Sequence, residues 1–305
     1  AGSRWSVIAG IGIRRAWQSM WLRRIVFFAW VPGVMMAFLI YMFEQAASEG
    51  HASAFMTSGF IELFLGDASR ASIADSITLS QGTPEELFEY RHQFWCSLLQ
   101  VLFERTQTIM LVAVVGLTAP PLISQDMRSR AFLLYFSRPI SRTQYILGKG
   151  ATIACYVLVI SLLPGMLLYC TGVLLSPDIS IVAETWDIPL RILAATATMV
   201  IPTTCLGLML SSLTTETRFA SFAWFAVWIF GLFAHLVMSS FVSMGSQTPM
   251  EMLSLYQVIG TVQGWLLDVQ SDQQPDIVMP LAVLVMVSVV SLTILYKRVS
   301  APLNV

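Results

Sequence analysis

Gln125-Asp-Met-Arg-Ser-Arg-Ala-Phe-Leu-Leu-Tyr-Phe-Ser-Arg-Pro-Ile-Ser-Arg-Thr-Gln-Tyr-Ile-Leu-Gly-Lys149 lies between two apolar runs, Thr106 to Ile123 and Ala151 to Leu175. Each run is long enough to cross about 30 Å of hydrocarbon as a helix. The stretch between them is too charged to cross with them and too apolar for a solvated loop, so something must cover its apolar face. Phe132, Leu133, Tyr135 and Phe136 read as a short amphipathic helix that Pro139 ends. Ser141 can cap a helix that resumes through Tyr145 to Lys149 and enters the next run. A helix break held near a membrane surface can press on a soluble partner.

Outward from this loop, Ile25 to Phe43, Leu190 to Leu213, Phe219 to Val242 and Ile277 to Tyr296 have the same character. The expected fold is therefore an all-α integral membrane protein with six transmembrane helices, at about 25–43, 106–123, 151–175, 190–213, 219–242 and 277–296. Composition agrees: 56% of the 305 residues are hydrophobic and 11% charged, against about 45 to 50% and 25% in soluble domains. A net charge of −1 is uninformative as a sum, because membrane proteins sort charge by side. Arg4, Arg14, Arg15, Arg23 and Arg24 precede the first run, and Arg128, Arg130, Arg138, Arg142 and Lys149 fill the loop. With Arg218, Lys297 and Arg298 on the same side, only Arg70, Arg91, Arg105 and Arg191 of the 17 basic residues remain for the other face. Both termini are thus expected in the cytoplasm of a multi-pass cell membrane protein of bacterial inner-membrane type. No nucleic-acid reading follows.

We expect one membrane domain, with residues 1–24 as a cytoplasmic N-terminus and 25–305 as the six-span unit. The inner loop is 124–150, and the outer segments are 44–105 and 243–276. The first apolar run ends at Tyr41-Met42-Phe43 followed by Glu44, with no small-residue cleavage site, so it reads as a retained span. Before it, Trp5, Ile8, Ala9, Ile13, Trp17, Met20 and Trp21 recur at helical spacing between Arg4, Arg14, Arg15 and Gln18. That pattern suits an interfacial helix on lipid headgroups, and equally a helix whose tryptophans pack on neighbouring spans. Short extracytoplasmic helices are expected as well. Thr83 before Pro84-Glu85-Glu86 marks the start of one that could run unbroken into the second span. Met250 to Leu267 has helical periodicity but is interrupted by Glu251 and Gly260, which suits a surface or re-entrant helix better than a crossing.

Several chemistries lack their residues. The four cysteines form neither a disulfide framework nor a Cys-x-x-Cys metal site. Gly148-Lys149-Gly150 lacks the upstream glycine and the hydroxyl of a phosphate-cradling loop, so any ATP that drives this protein binds elsewhere. Neither His-Glu-x-x-His nor Gly-x-Ser-x-Gly occurs in the runs, and His235 is the only histidine there. His235, Arg191 and the Glu104-Arg105 pair sit near outer boundaries, where satisfied or snorkelling side chains are the plain reading. Thr196, Thr198, Thr203 and Thr204 with Pro202 and Gly207 could line a path or let helices approach closely. Pro32-Gly33 and Pro164-Gly165 could kink the first and third runs.

Ile123, Asp126, the apolar stretch Phe132 to Phe136, Pro139-Ile-Ser-Arg142 and Gly148-Lys149, with Pro120-Pro121 ahead of them, resemble the type-2 ABC exporter permease family. Asp126 stands where that family usually has Glu, and Arg130-Ala131 where Gly-Thr is common. The resemblance implies a permease whose inner loop docks a separate ATP-binding subunit, with two permease subunits, identical or homologous, enclosing the transport path. It implies no catalytic residue and no cofactor in this chain, with ATP and Mg on the partner. The loop's charge and apolar face nominate Asp126, Arg128, Arg130, Phe132, Tyr135, Phe136, Arg138, Pro139, Ser141, Arg142 and Lys149 as docking residues. Membrane lipids are the remaining expected partner. The competing readings are an interfacial helix whose cations only anchor topology and touch lipid, and a non-transporting membrane scaffold or sensor. A secondary carrier would need paired ionisable groups at mid-membrane, which the runs lack.

Overall fold

The computed structural model describes residues 4–48, 84–129, 140–176, 181–242, 254–267 and 277–300, and among these residues there are helices and no strand. Arg130, Phe132, Tyr135, Phe136, Arg138 and Pro139 of the loop, Thr83, and the polar parts of both outer segments lie outside the described residues.

Helix α1 (Arg4–Trp17) and helix α2 (Met20–Ser48) meet at a break where Ser19 Oγ accepts from the Leu22 N–H at 3.4 Å. A serine oxygen there satisfies one of the free amides at the start of α2. Helix α3 (Pro84–Val101) passes through a π-helical stretch, Leu102–Gln107, directly into α4 (Thr108–Arg128). The outer helix thus runs into the second span without a break, with Pro84 as its first residue, where a missing N–H costs nothing. Across the loop come α5 (Arg142–Ile160) and, after a turn at Ser161, α6 (Leu162–Leu175). A single turn at Ile181–Glu184 leads to α7 (Asp187–Leu213), α8 (Thr217–Val242), α9 (Leu255–Leu266) and α10 (Val278–Ser300).

Six stretches among these residues are long and apolar enough to cross a membrane. Two are far longer than the hydrocarbon they must span: Arg91–Arg128 has 38 residues and Arg142–Leu175 has 34, against the roughly 20 a crossing needs. Hydropathy marks only the apolar part of a helix, and both helices continue past it into polar sequence. Helix α9 has 12 residues, too short to cross. It packs instead against the far end of the second span, where a Cβ on Gly260 would come 3.2 Å from Glu104 and one on Gly264 3.1 Å from Gln100.

Helices in lipid gain little from hydrophobicity, so they associate where small residues let backbones approach. Helix α7 lies at the centre. A Cβ on its Gly207 would stand 3.0 Å from the Ala119 Cβ of α4, and one on Gly116 of α4 would overlap Trp224 and Phe225 of α8. The Pro-Gly pairs of α2 and α6 face one another, with Gly33 against Pro164. Thr196 and Thr203 of α7 are buried among helices of this same chain. Helix α1 and the last turns of α10 share the loop side: Gly148 packs on Trp5 and Ile8, and Tyr296 and Lys297 share a groove with Thr143 and Ile146.

Candidate functional site

Two helix ends carry the loop, and each is built to hold a fixed position. At the first, Pro120 and Pro121 lack N–H groups, and a proline ring crowds the carbonyl one turn before it, opening the ladder of α4. One turn beyond those freed carbonyls, Ser211 of α7 reaches the helix. Its Oγ donates to the Pro120 carbonyl at 2.6 Å and accepts from the N–H groups of Ile123 and Ser124 at 3.1 and 3.2 Å. Ser124 Oγ also donates to the Pro120 carbonyl and pairs with Thr217 Oγ1 at 3.1 Å. The last turn of α4, bearing Asp126, is therefore tied to α7 and to the start of α8.

At the second helix end, Ser141 and Gln144 form a capping box. Gln144 N–H donates to Ser141 Oγ and the Ser141 N–H to Gln144 Oε1, both at 3.2 Å. This fixes the first turn of α5, so Tyr145 and Lys149, four residues apart, share one face. That face meets Asp126. Its Oδ2 accepts from the Tyr145 hydroxyl at 2.7 Å and from Lys149 Nζ at 2.7 Å, with Nζ also 5.5 Å from the centre of the Tyr145 ring. Only 10% of either charged side chain is exposed. The result is a neutral clasp that joins the two ends of the loop.

Helix α1 is fastened to the same part of α5. A Cβ on Gly148 would come 2.8 Å from Ile8 and 2.9 Å from the Trp5 carbonyl, and one on Gly12 would collide with Thr152. Thr152 Oγ1 donates to the Ala9 carbonyl at 3.5 Å and Tyr156 OH to the Ile13 carbonyl at 2.7 Å. Trp17 stacks on Tyr156, while Trp5, Trp17 and Trp21 stay 41%, 47% and 68% exposed. Small residues seat α1 on α5, and the indoles face outward.

The inner parts of the two loop-bearing spans are interrupted at one level. Gln107, at the end of the π-helical stretch, donates through Nε2 to the carbonyl of Ser161, the residue at which α5 gives way to α6. Just beyond, a Cβ on Gly165 would meet Phe103 at 3.3 Å. A π-helical stretch shifts side-chain register within a continuous helix and often marks a functional position.

The sequence's candidates separate accordingly. The structure joins Asp126 to Lys149 and makes Ser141 a cap. Arg128 pairs with Glu216 at 3.4 Å on the surface, a contact worth little. Arg142 opens α5. Missed in the sequence were the Tyr145 hydroxyl as a clasp donor, Ser211, Gly12 and Gly148 as seats for α1, and Glu216. Lys149 is held by Asp126 within a helix, so Gly148-Lys149-Gly150 offers no phosphate cradle.

On the far side, Arg191 is a satisfied side chain, the first of the two readings the sequence allowed. Its Nε donates to Asp187 at 2.7 Å and its Nη1 to the Leu266 carbonyl at the end of α9 at 3.1 Å. His92 Nε2 lies 3.1 Å from the same carboxylate, and Arg91 binds Glu44 at 2.9 Å. Glu104, read with Arg105 as a boundary group, faces Gly260 and accepts from Gln100 at 3.4 Å. His235 meets Gln257 at 2.8 Å, a satisfied histidine. Among the described residues, no three His, Cys, Asp or Glu side chains gather as a metal site.

Comparison with curated proteins gives no match. A family described as ABC-2 family transporter protein matches residues 11–300, from within α1 to the last residue of α10, with the clasp inside the match. The chain belongs to the ABC-2 transporter family and is a membrane permease component of an ABC transporter.

Proposed function

We propose that this chain is the permease half of an ATP-driven exporter, and that its loop docks a separate ATP-binding subunit holding ATP and Mg. The observation that carries this reading is the Asp126–Tyr145–Lys149 clasp. Because both loop ends are joined, a push on the loop acts on the second and third spans together, and on α1 through Gly148 and Thr152. Thr108–Arg128 and Arg142–Ile160 form a lever, and the π-helical stretch and Ser161 turn, bridged by Gln107, are where it bends. Passage lies between this chain and a second permease subunit, identical or homologous. The cytoplasm holds the loop and both termini, in a bacterial-type inner membrane. No catalytic residue is required here, since coupling needs contacts and a shaped path.

Solubilising the protein from its native membrane and identifying each stoichiometric companion tests the reading. A companion bearing G-x-x-x-x-G-K-[ST] is expected. Reproducible isolation with no such chain would favour a non-transporting scaffold.

A further inference from the structure

Beside the clasp, a cleft of about 250 Å³ opens between α1, the start of α2 and α4. Its lining has two characters. Ile11, Leu117 and Leu122 make an apolar wall, while Arg15, Ser19 and Gln125 supply a cation and hydrogen-bonding groups, with Asp126 and Lys149 at one edge. Asp126 neutralises Lys149 at 2.7 Å, so the cleft's surplus charge is that of Arg15, which forms no ion pair among the described residues. Arg14, Arg23 and Arg24 are exposed nearby in sequence, and Arg24 lies over the Trp21 ring at 5.7 Å.

These features select an occupant by exclusion. A small hydrophilic anion would answer Arg15 but leave the apolar wall wet, and a neutral apolar molecule would cover that wall but gain nothing from the exposed Arg15 guanidinium. A net-negative phospholipid satisfies both. The cleft has the volume of about eight waters, so it holds part of a lipid. The rest lies in the bilayer against Ile11 and Leu117, which are 61% and 41% exposed. We propose that this cleft seats one anionic phospholipid from the loop-side leaflet, its phosphate on Arg15 and an acyl chain along Ile11 and Leu117. The seat goes beyond the permease reading, because it requires no ATP-binding partner.

The full chain in zwitterionic nanodiscs, titrated with phosphatidylglycerol and released into native mass spectrometry, tests this. One phosphatidylglycerol should remain per chain. Arg15→Gln should lower its retention about five-fold, the worth of one basic residue at an anionic surface, and Ala16→Trp, which fills the cleft, should lower it as much. Arg14→Gln, on the same helix but outside the cleft lining, should retain the lipid. Equal loss from Arg14→Gln and Arg15→Gln, or full retention in Ala16→Trp, would show a diffuse basic surface and overturn the seat. If Ala16→Trp does not fold, Leu117→Trp closes the cleft from the opposite wall and is read in the same way. Excess inorganic phosphate should leave retention unchanged. Displacement by phosphate alone would reveal a free-anion site and also overturn the proposal.

Discussion

Asp126 accepts two hydrogen bonds at 2.7 Å while nine-tenths of its side chain is covered, so losing either donor leaves a charge or a dipole poorly answered. Lys149→Ala strands the carboxylate and Asp126→Ala strands the ammonium. Each should cost about 3 kcal/mol, as buried pairs do when one partner is removed. Removing both together should cost much less than the sum, and denaturation of the detergent-solubilised variants in a double-mutant cycle reads the difference. Strict additivity would mean that the pair does not act as a unit. Ser211→Ala should destabilise the chain by about 1 to 3 kcal/mol in the same assay, because the α4 amides it serves are buried. At this scale the sequence was legible only in part. Asp126 and Lys149 stood out as charges flanking a loop and as positions of a resemblance. Nothing local in the sequence pairs Ser211 with Pro120, 91 positions away. Tyr145 stood only as a residue of the helix that resumes after Ser141, because the value of its hydroxyl depends on what faces it.

Among elements, the proposed coupling acts through the seam between α1 and α5 and through a bend across the two loop-bearing spans. Gly148→Leu would drive a side chain into Ile8 and the Trp5 carbonyl, at a cost of about 1 to 3 kcal/mol for overpacking. Cysteines introduced at Ala9 and Thr152 should cross-link readily in the parent chain and poorly with Gly148→Leu, whereas unchanged cross-linking would place the seam elsewhere. Gln107→Leu removes the bridge to the Ser161 carbonyl. ATP hydrolysis measured beside transport should show turnover persisting while transport falls, and parallel loss of both would contradict a bend at this level. Helical periodicity disclosed α1 because its apolar positions recur. It could not choose between lipid and protein for the tryptophans; the structure seats Ile8, Ala9 and Gly12 inward, stacks Trp17 on Tyr156 and leaves Trp5, Trp17 and Trp21 more than a third exposed. The π-helical stretch was not legible, since Leu102–Gln107 differs from an ordinary helix by register and not by composition.

For the molecule as a whole, six apolar crossings were plain in the sequence because bilayer thickness sets a length that few soluble helices meet. The short α9 was likewise legible from its interruptions. What hydropathy could not supply was its anchorage through the Arg191 contact to Leu266, or the Asp187–His92 pair that joins α7 to α3, because each links segments far apart in the chain. The central claim concerns the loop side: α4, α5 and α1 form one fastened body that an ATP-binding subunit engages. A photoreactive residue at Arg142, the first residue of α5, tests it most directly in native membranes, with a second at Trp265 on the far side as control. The account predicts a cross-link from position 142, and none from 265, to a chain bearing a nucleotide-binding G-x-x-x-x-G-K-[ST] motif. Cross-links from position 142 to lipid alone, or to the ATP-binding chain equally from both positions, would contradict it.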